Sequence, residues 1–106
     1  MNLDEIKKLL LSVTLNTYHQ WADTDADEYI VWAEDSEAGA VHADNRKELQ
    51  ILDVTVDVFT KEEYPDIINR LQNAFNDAEL PFELLSVQYE HDTGYTHYEY
   101  LVQAVV

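Results

Sequence analysis

The sequence predicts one α+β domain in which antiparallel hairpins form a sheet packed by two amphipathic helices, in the order α-β-β-β-α-β-β. Three observations carry this expectation. Apolar residues recur at spacings of three and four in two separate stretches, Leu3, Ile6, Leu10, Val13 and later Tyr64, Ile68, Leu71, Phe75, Ala78. Leu52, Val54, Val56 and Val58 alternate with Asp53, Thr55 and Asp57, the period of a strand with one face on a core and the other in water or against a partner. The 106 residues contain 46% apolar side chains, including seven Tyr and two Trp, which is enough for one core, and no Pro-, Gly- or Ser-rich linker divides them.

The first helix follows Asn2, an N-cap residue with Glu5 three positions on, and lasts about three turns. A brief aromatic strand is expected over residues 17–21, then a polar loop over 23–27. Tyr29, Ile30, Val31, Trp32 and Ala33 are strand formers. The acidic residues 34–37 before Gly39 suit a connection to a short strand over 40–43, which makes the two a hairpin candidate. Residues 44–47 read as a turn leading into the alternating strand. Thr60 and Glu63 form a T-x-x-E capping box for the second helix, with Pro65 tolerated in its first turn. That helix ends before Pro81, because proline disfavours helical geometry at Leu80. Residues 82–89 and 95–105 are two further strands, joined by a turn in which Gly94 supplies a left-handed position.

Charge narrows the function classes. There are 22 acidic side chains against six basic ones, a formal charge of −16, with four His and no Cys. Without cysteine there is no disulfide framework, zinc–thiolate site, thiol nucleophile or iron–sulfur cluster. No apolar run approaches the length of a membrane span, and the first residues lack the basic leader of a signal peptide, so the expectation is an intracellular soluble protein. A surface this acidic repels phosphate backbones and anionic lipid, which argues against sequence-specific nucleic-acid binding and against membrane docking. Residues 23–37 hold seven acids and no base, and no Lys or Arg follows Arg70.

A search for reaction chemistry yields no catalytic residue, metal ligand set or cofactor site. Among His19, His42, His91 and His97, only His91 and His97 have a sequence reason to approach one another, and a pair beside Asp92 falls short of the three convergent ligands a metal centre needs. Asp23, Asp25 and Asp27 echo a calcium loop, but Glu28 stands where that loop turns on glycine, so an acidic loop is the simpler reading. Ser12, Ser36 and Ser86 have no nucleophile motif around them, and the two glycines are too far apart for a phosphate cradle. Tyr89, Tyr95, Tyr98 and Tyr100 could form a ligand platform, but cross-strand pairing in the last hairpin explains them more simply.

Several segments, in order and spacing, resemble a known family. They are Tyr29-Ile-Val-Trp, Gly39-Ala-Val-His-Ala-Asp-Asn45, Ile51-Leu-Asp-Val-Thr-Val-Asp-Val-Phe-Thr-Lys61 and Tyr89-Glu-His-Asp-Thr-Gly-Tyr-Thr-His97. The chain is similar, over nearly its whole length, to phage and prophage tail-completion proteins, also called tail terminators or head–tail joining proteins. The resemblance implies an α+β subunit that assembles as a ring, typically hexameric, on the end of the tail tube. There it halts tube growth and presents a surface to the head connector. The implied partners are a second copy, the tail tube protein and the head connector protein; the implied locations are the host cytoplasm during assembly and then the virion. No cofactor or catalytic residue accompanies that role.

Charge and pattern agree with a ring through which DNA slides. Six copies at −16 each carry about −96, and repulsion screened over roughly 8 Å in physiological salt keeps duplex off the wall. Asp23, Asp25, Asp27, Glu28, Asp53 and Asp57 are the candidate DNA-repelling surface. Acidic subunits also repel one another, which makes Lys7, Lys8, Arg46 and Lys47, with the apolar Val105 and Val106, the candidate subunit contacts. Two other readings fit the composition: an acidic DNA mimic that inhibits a DNA-binding protein, and a generic acidic adaptor domain.

Overall fold

The computed structural model describes the backbone of residues 1–43 and 46–106, and the side chains of residues 1–39 and 49–106. The elements are α1 (Leu3–Val13), β1 (Thr17–His19), β2 (Glu28–Ala43), β3 (Arg46–Thr60), α2 (Asp66–Asp77), β4 (Glu83–Tyr89) and β5 (Thr96–Val105). This is the predicted α+β order. The strands form one five-stranded sheet, β1-β2-β3-β5-β4, with both helices packed on one face and the other face bare.

In α1, Asn2 and Glu5 close the capping box: the Glu5 N–H donates to Asn2 Oδ1 at 2.8 Å and the Asn2 N–H to Glu5 Oε1 at 3.1 Å. The helix then turns Ile6, Leu10 and Val13 inward, and α2 buries Ile67, Leu71 and Phe75. They meet Ile30 and Trp32 of β2, the predicted Val54, Val56 and Val58 of β3, and Tyr100, Val102 and Ala104 of β5. The core is therefore a sandwich of one helix layer on one sheet face, driven by removal of these side chains from water.

The structure corrects the sequence reading at three places. The acidic residues 34–37 are not a connection, because β2 runs straight through them as one strand. Its register with β3 shifts between Glu34 and Ser36 and again between Glu37 and Gly39, so bulges absorb the extra residues and the acids stay solvated. The hairpin is thus β2–β3, two long strands, and past the Gly39–Ile51 pair it continues as a two-stranded ribbon. The predicted turn includes Asp44 and Asn45, which lie outside the described residues.

The second correction concerns β1, which pairs with β2 in parallel, Thr17 opposite Ile30 and His19 opposite Trp32. Gln20 at φ 73 reverses the chain, and the eight-residue loop is long enough to carry it back past a three-residue strand.

Thirdly, Thr60 does not cap α2. It is the fully buried last residue of β3, where its hydroxyl donates to Glu28 Oε2 at 2.7 Å and accepts from the Glu62 N–H at 3.1 Å. The helix starts six residues later, at Asp66, after Pro65 and with no side-chain cap, and Tyr64, expected in the buried stripe, is 88% exposed. A cross-strand partner outcompeted the local one.

The C-terminus of α2 forms a Schellman motif: the Leu80 N–H bonds to the Phe75 carbonyl at 2.9 Å and the Glu79 N–H to the Asn76 carbonyl at 3.0 Å. Glu79 occupies the left-handed position at φ 55, where a side chain costs about 1 kcal/mol relative to glycine. Glu79→Gly is expected to stabilise the fold by roughly that amount, read as a higher urea midpoint at unchanged slope.

Candidate assembly surface

The bare face of the sheet is built by residues alternating with the core. On β3 these are Ile51, Asp53, Thr55, Asp57 and Phe59, opposite Val105, Gln103, Leu101, Glu99 and His97 of β5. An aromatic ladder crosses it. Tyr18 meets Tyr29 edge-on at 6.3 Å, Tyr29 stacks on Phe59 at 4.8 Å, Phe59 stacks on His97 at 4.4 Å, and Tyr95 stands edge-on to Tyr29 at 5.5 Å. Such rings supply area and stiffness to a contact surface. Burial raises the Tyr29 phenol pKa, with Tyr95 and Glu90 adding to the effect.

Carboxylates flank the ladder. His97 Nε2 lies 2.7 Å from Asp57 Oδ1, and the Gln103 amide donates to Asp53 Oδ1 at 3.2 Å. The hydrogen bond to Asp57 raises the His97 pKa against the opposing pull of burial, with Glu90 and Glu99 contributing further. The charged imidazolium is therefore favoured by folding. Its stabilisation is complete below the ordinary imidazole pKa, about 6.5, and is lost as pH rises through the elevated folded value. Between pH 6 and 9 the wild-type chain is expected to lose a few degrees more in Tm than His97→Gln does, a comparison that cancels the general charge effects of so acidic a protein.

None of the strand residues whose side chains are described is Lys or Arg. The described cations sit on the helix layer and at the end of β3. Lys7 and Lys8 lie on the exposed side of α1, Lys8 paired with Asp4 at 2.9 Å. Arg70 of α2 reaches Asp66 at 3.0 Å, Glu28 at 3.9 Å and, through Nη1, the Val13 carbonyl. This ties the end of α1 to α2 and to the start of β2. Lys61 stands 4.8 Å over the Tyr95 ring and 3.8 Å from Asp27.

The acids singled out in the sequence fall into two groups. Asp23, Asp25 and Asp27 are exposed in the loop before β2, which is held by the Tyr95 hydroxyl donating to the Ala26 carbonyl at 2.6 Å and by the Lys61 N–H donating to the Asp27 carbonyl at 3.0 Å. Asp53 and Asp57 lie on the bare sheet face, and Glu28 is taken up by Thr60 and Arg70. Of the candidate contacts, Lys7 and Lys8 are on the opposite layer from Asp53 and Asp57. The side chains of Arg46 and Lys47 lie outside the described residues. Val105 and Val106 are 41% and 49% exposed at the C-terminus, where their N–H groups donate to the carbonyls of Met1 and Gln50.

The four tyrosines do not share a platform. Tyr100 is fully buried beneath the helices, its hydroxyl accepting from the Gln72 amide at 2.7 Å, while Tyr89 stands 58% exposed on β4. Tyr95 joins the bare face instead. His91 packs edge-on to Tyr89 at 4.9 Å, apart from His97 in its pair with Asp57. His19 stacks on Trp32 at 4.0 Å and bonds Glu34, whose pKa it lowers. Among the described residues no group of three or more His, Asp or Glu is placed to hold a metal ion. Among the described residues no helix is long and apolar enough to cross a membrane. Sequence reasoning missed the ladder of Tyr18, Tyr29, Phe59 and His97, because its members come from four strands and only the register brings them together.

No protein-family model and no curated protein matches the chain. Among solved structures it is similar in fold to a chain in the virion of a native gene transfer agent (GTA) particle, with a TM-score of 0.59 and 14% identity, covering 92% of this chain and 83% of that one.

Proposed function

We propose that this chain is a structural component of a phage-like particle, a tail-completion protein that caps the tail tube and joins it to the head connector as a ring of identical subunits. It works as an architectural piece and not as an enzyme, in the host cytoplasm during assembly and afterwards in the virion. The observation that carries this reading is the fold shared along most of the chain with a protein of a GTA virion, which agrees with the family resemblance of the sequence motifs. The bare, acidic and aromatic sheet face supports it, because a ring subunit needs one face for its neighbours or the particle and a lumen that does not grip phosphate.

The test is electron microscopy of tail tubes mixed with the purified chain, at several salt concentrations. A ring at one tip of each tube is the expected result. At −16 per subunit, ring formation should strengthen as added salt screens the repulsion between copies. Tubes left bare at every salt concentration, together with protection of plasmid DNA from a restriction nuclease, would instead identify a DNA mimic.

A further inference from the structure

The second edge of the sheet is uncovered, a feature that the tube-capping reading does not use. β4 lies at the end of the strand order and pairs only with β5, so the outward N–H and C=O groups of a seven-residue strand form an open template. Natural edges of this kind are guarded by lysine, proline, an inward-pointing charge or a β-bulge; here residues 84–89 read Leu-Leu-Ser-Val-Gln-Tyr, with none of the first three, and the register shift between Leu84 and Ser86 leaves residues 86–89 in regular pairing with Glu99, Tyr98, His97 and Thr96. Leu84, Leu85, Val87 and Tyr89 are 44%, 45%, 50% and 58% exposed. Leu84, Val87 and Tyr89 are in register with Tyr100, Tyr98 and Thr96; they belong to the face the helices cover elsewhere, and remain open because the helix layer stops short of the edge.

Charge selects the occupant. The uncharged run is bracketed by Glu83 and Glu90, and no base follows Arg70 in the sequence. A second copy fits badly: antiparallel self-pairing centred on Ser86 and Val87 sets Glu83 against Glu90 at both ends, and the outer edge of a second copy's β2 brings Glu34, Asp35 and Glu37. Like charges directly opposite destabilise a strand pair. We propose that β4 accepts, by strand addition, an extended segment of a different protein that carries alternating apolar residues flanked by Lys or Arg. The backbone supplies affinity, the exposed Leu and Val side chains supply the apolar contact, and Glu83 and Glu90 set the polarity of the flanks.

The experiment titrates the isotope-labelled full chain with three capped peptides, KVTVTVK, EVTVTVE and KVTPTVK, following backbone amide shifts and hydrogen exchange. KVTVTVK should shift and protect the amides of residues 83–90. EVTVTVE should bind about tenfold more weakly, for want of the flanking charge pairs. KVTPTVK keeps the charge but cannot complete the ladder, and should leave β4 unprotected. Val87→Lys, at an exposed position, should retain the wild-type Tm and weaken KVTVTVK about tenfold. The proposal is overturned if KVTVTVK shifts residues away from β4 or none at all, if the three peptides bind alike, or if sedimentation shows the edge already occupied by a second copy. Each result is obtained without tail tubes, so failure here is distinct from failure of the capping reading.

Discussion

Phe75→Ala is expected to lower the unfolding free energy by about 3–5 kcal/mol, a large share of the total stability of a domain this size. Phe75 is fully buried at the centre of the helix–sheet contact. Its ring lies 5.2 Å from that of Phe82 and 6.1 Å from that of Tyr100, so truncation removes packing on two sides. The cavity would be lined by α2, Tyr100 and Phe82, and neither α2 nor Tyr100 can collapse inward without breaking the bond between Gln72 and Tyr100 or the Schellman turn that begins at Phe75 itself. Urea unfolding followed by Trp32 fluorescence reads the loss, since Trp32 is 4% exposed in the same core while Trp21 is 72% exposed and reports little. A change below about 1 kcal/mol would show that the helix layer is not what holds the sheet.

The second large effect concerns DNA. Reversing Asp23, Asp25 and Asp27 to lysine moves the net charge from −16 to −10, and does so in an exposed loop whose anchors, the Ala26 and Asp27 carbonyls, are backbone groups that survive the change. The wild-type chain should show no measurable affinity for duplex DNA at physiological salt. The variant should bind it, with a log–log salt slope approaching about −2.7 if all three lysines neutralise phosphates. If the loop lines the lumen of a ring, completed particles should fall in number with this variant even though rings still form on tubes. Wild-type levels of completed particles from a DNA-binding variant would place the loop elsewhere.

What could be read from the residues was whatever depends on near neighbours in the chain. Asn2 and Glu5 are three apart, so the α1 cap was legible, as was the inward alternation of Val54, Val56 and Val58. Gly94 is another such case, at φ 81 in the last turn. The α2 capping box failed for the converse reason. Thr60 and Glu63 have the right spacing, but Glu28, 32 residues earlier, took the hydroxyl, and no local pattern shows that competitor. The acidic residues 34–37 resemble a turn by composition; only a 15-residue partner strand with matching bulges reveals them as part of β2.

The same division runs through the candidate site. Composition determined that this is an acidic, cysteine-free chain and the hydrophobic spacing that it is α+β, because charge, residue count and periodicity need no coordinates. Tertiary structure decided which carboxylates share a face and which are consumed internally: Asp53 and Asp57 beside the aromatic ladder, Glu28 locked to Thr60 and Arg70. It also decided that β4 is an open edge, although residues 82–89 look like any interior strand. Strand order and register are set by contacts between residues far apart in the chain, and a pattern of period two is the same whether one neighbour or two lie alongside.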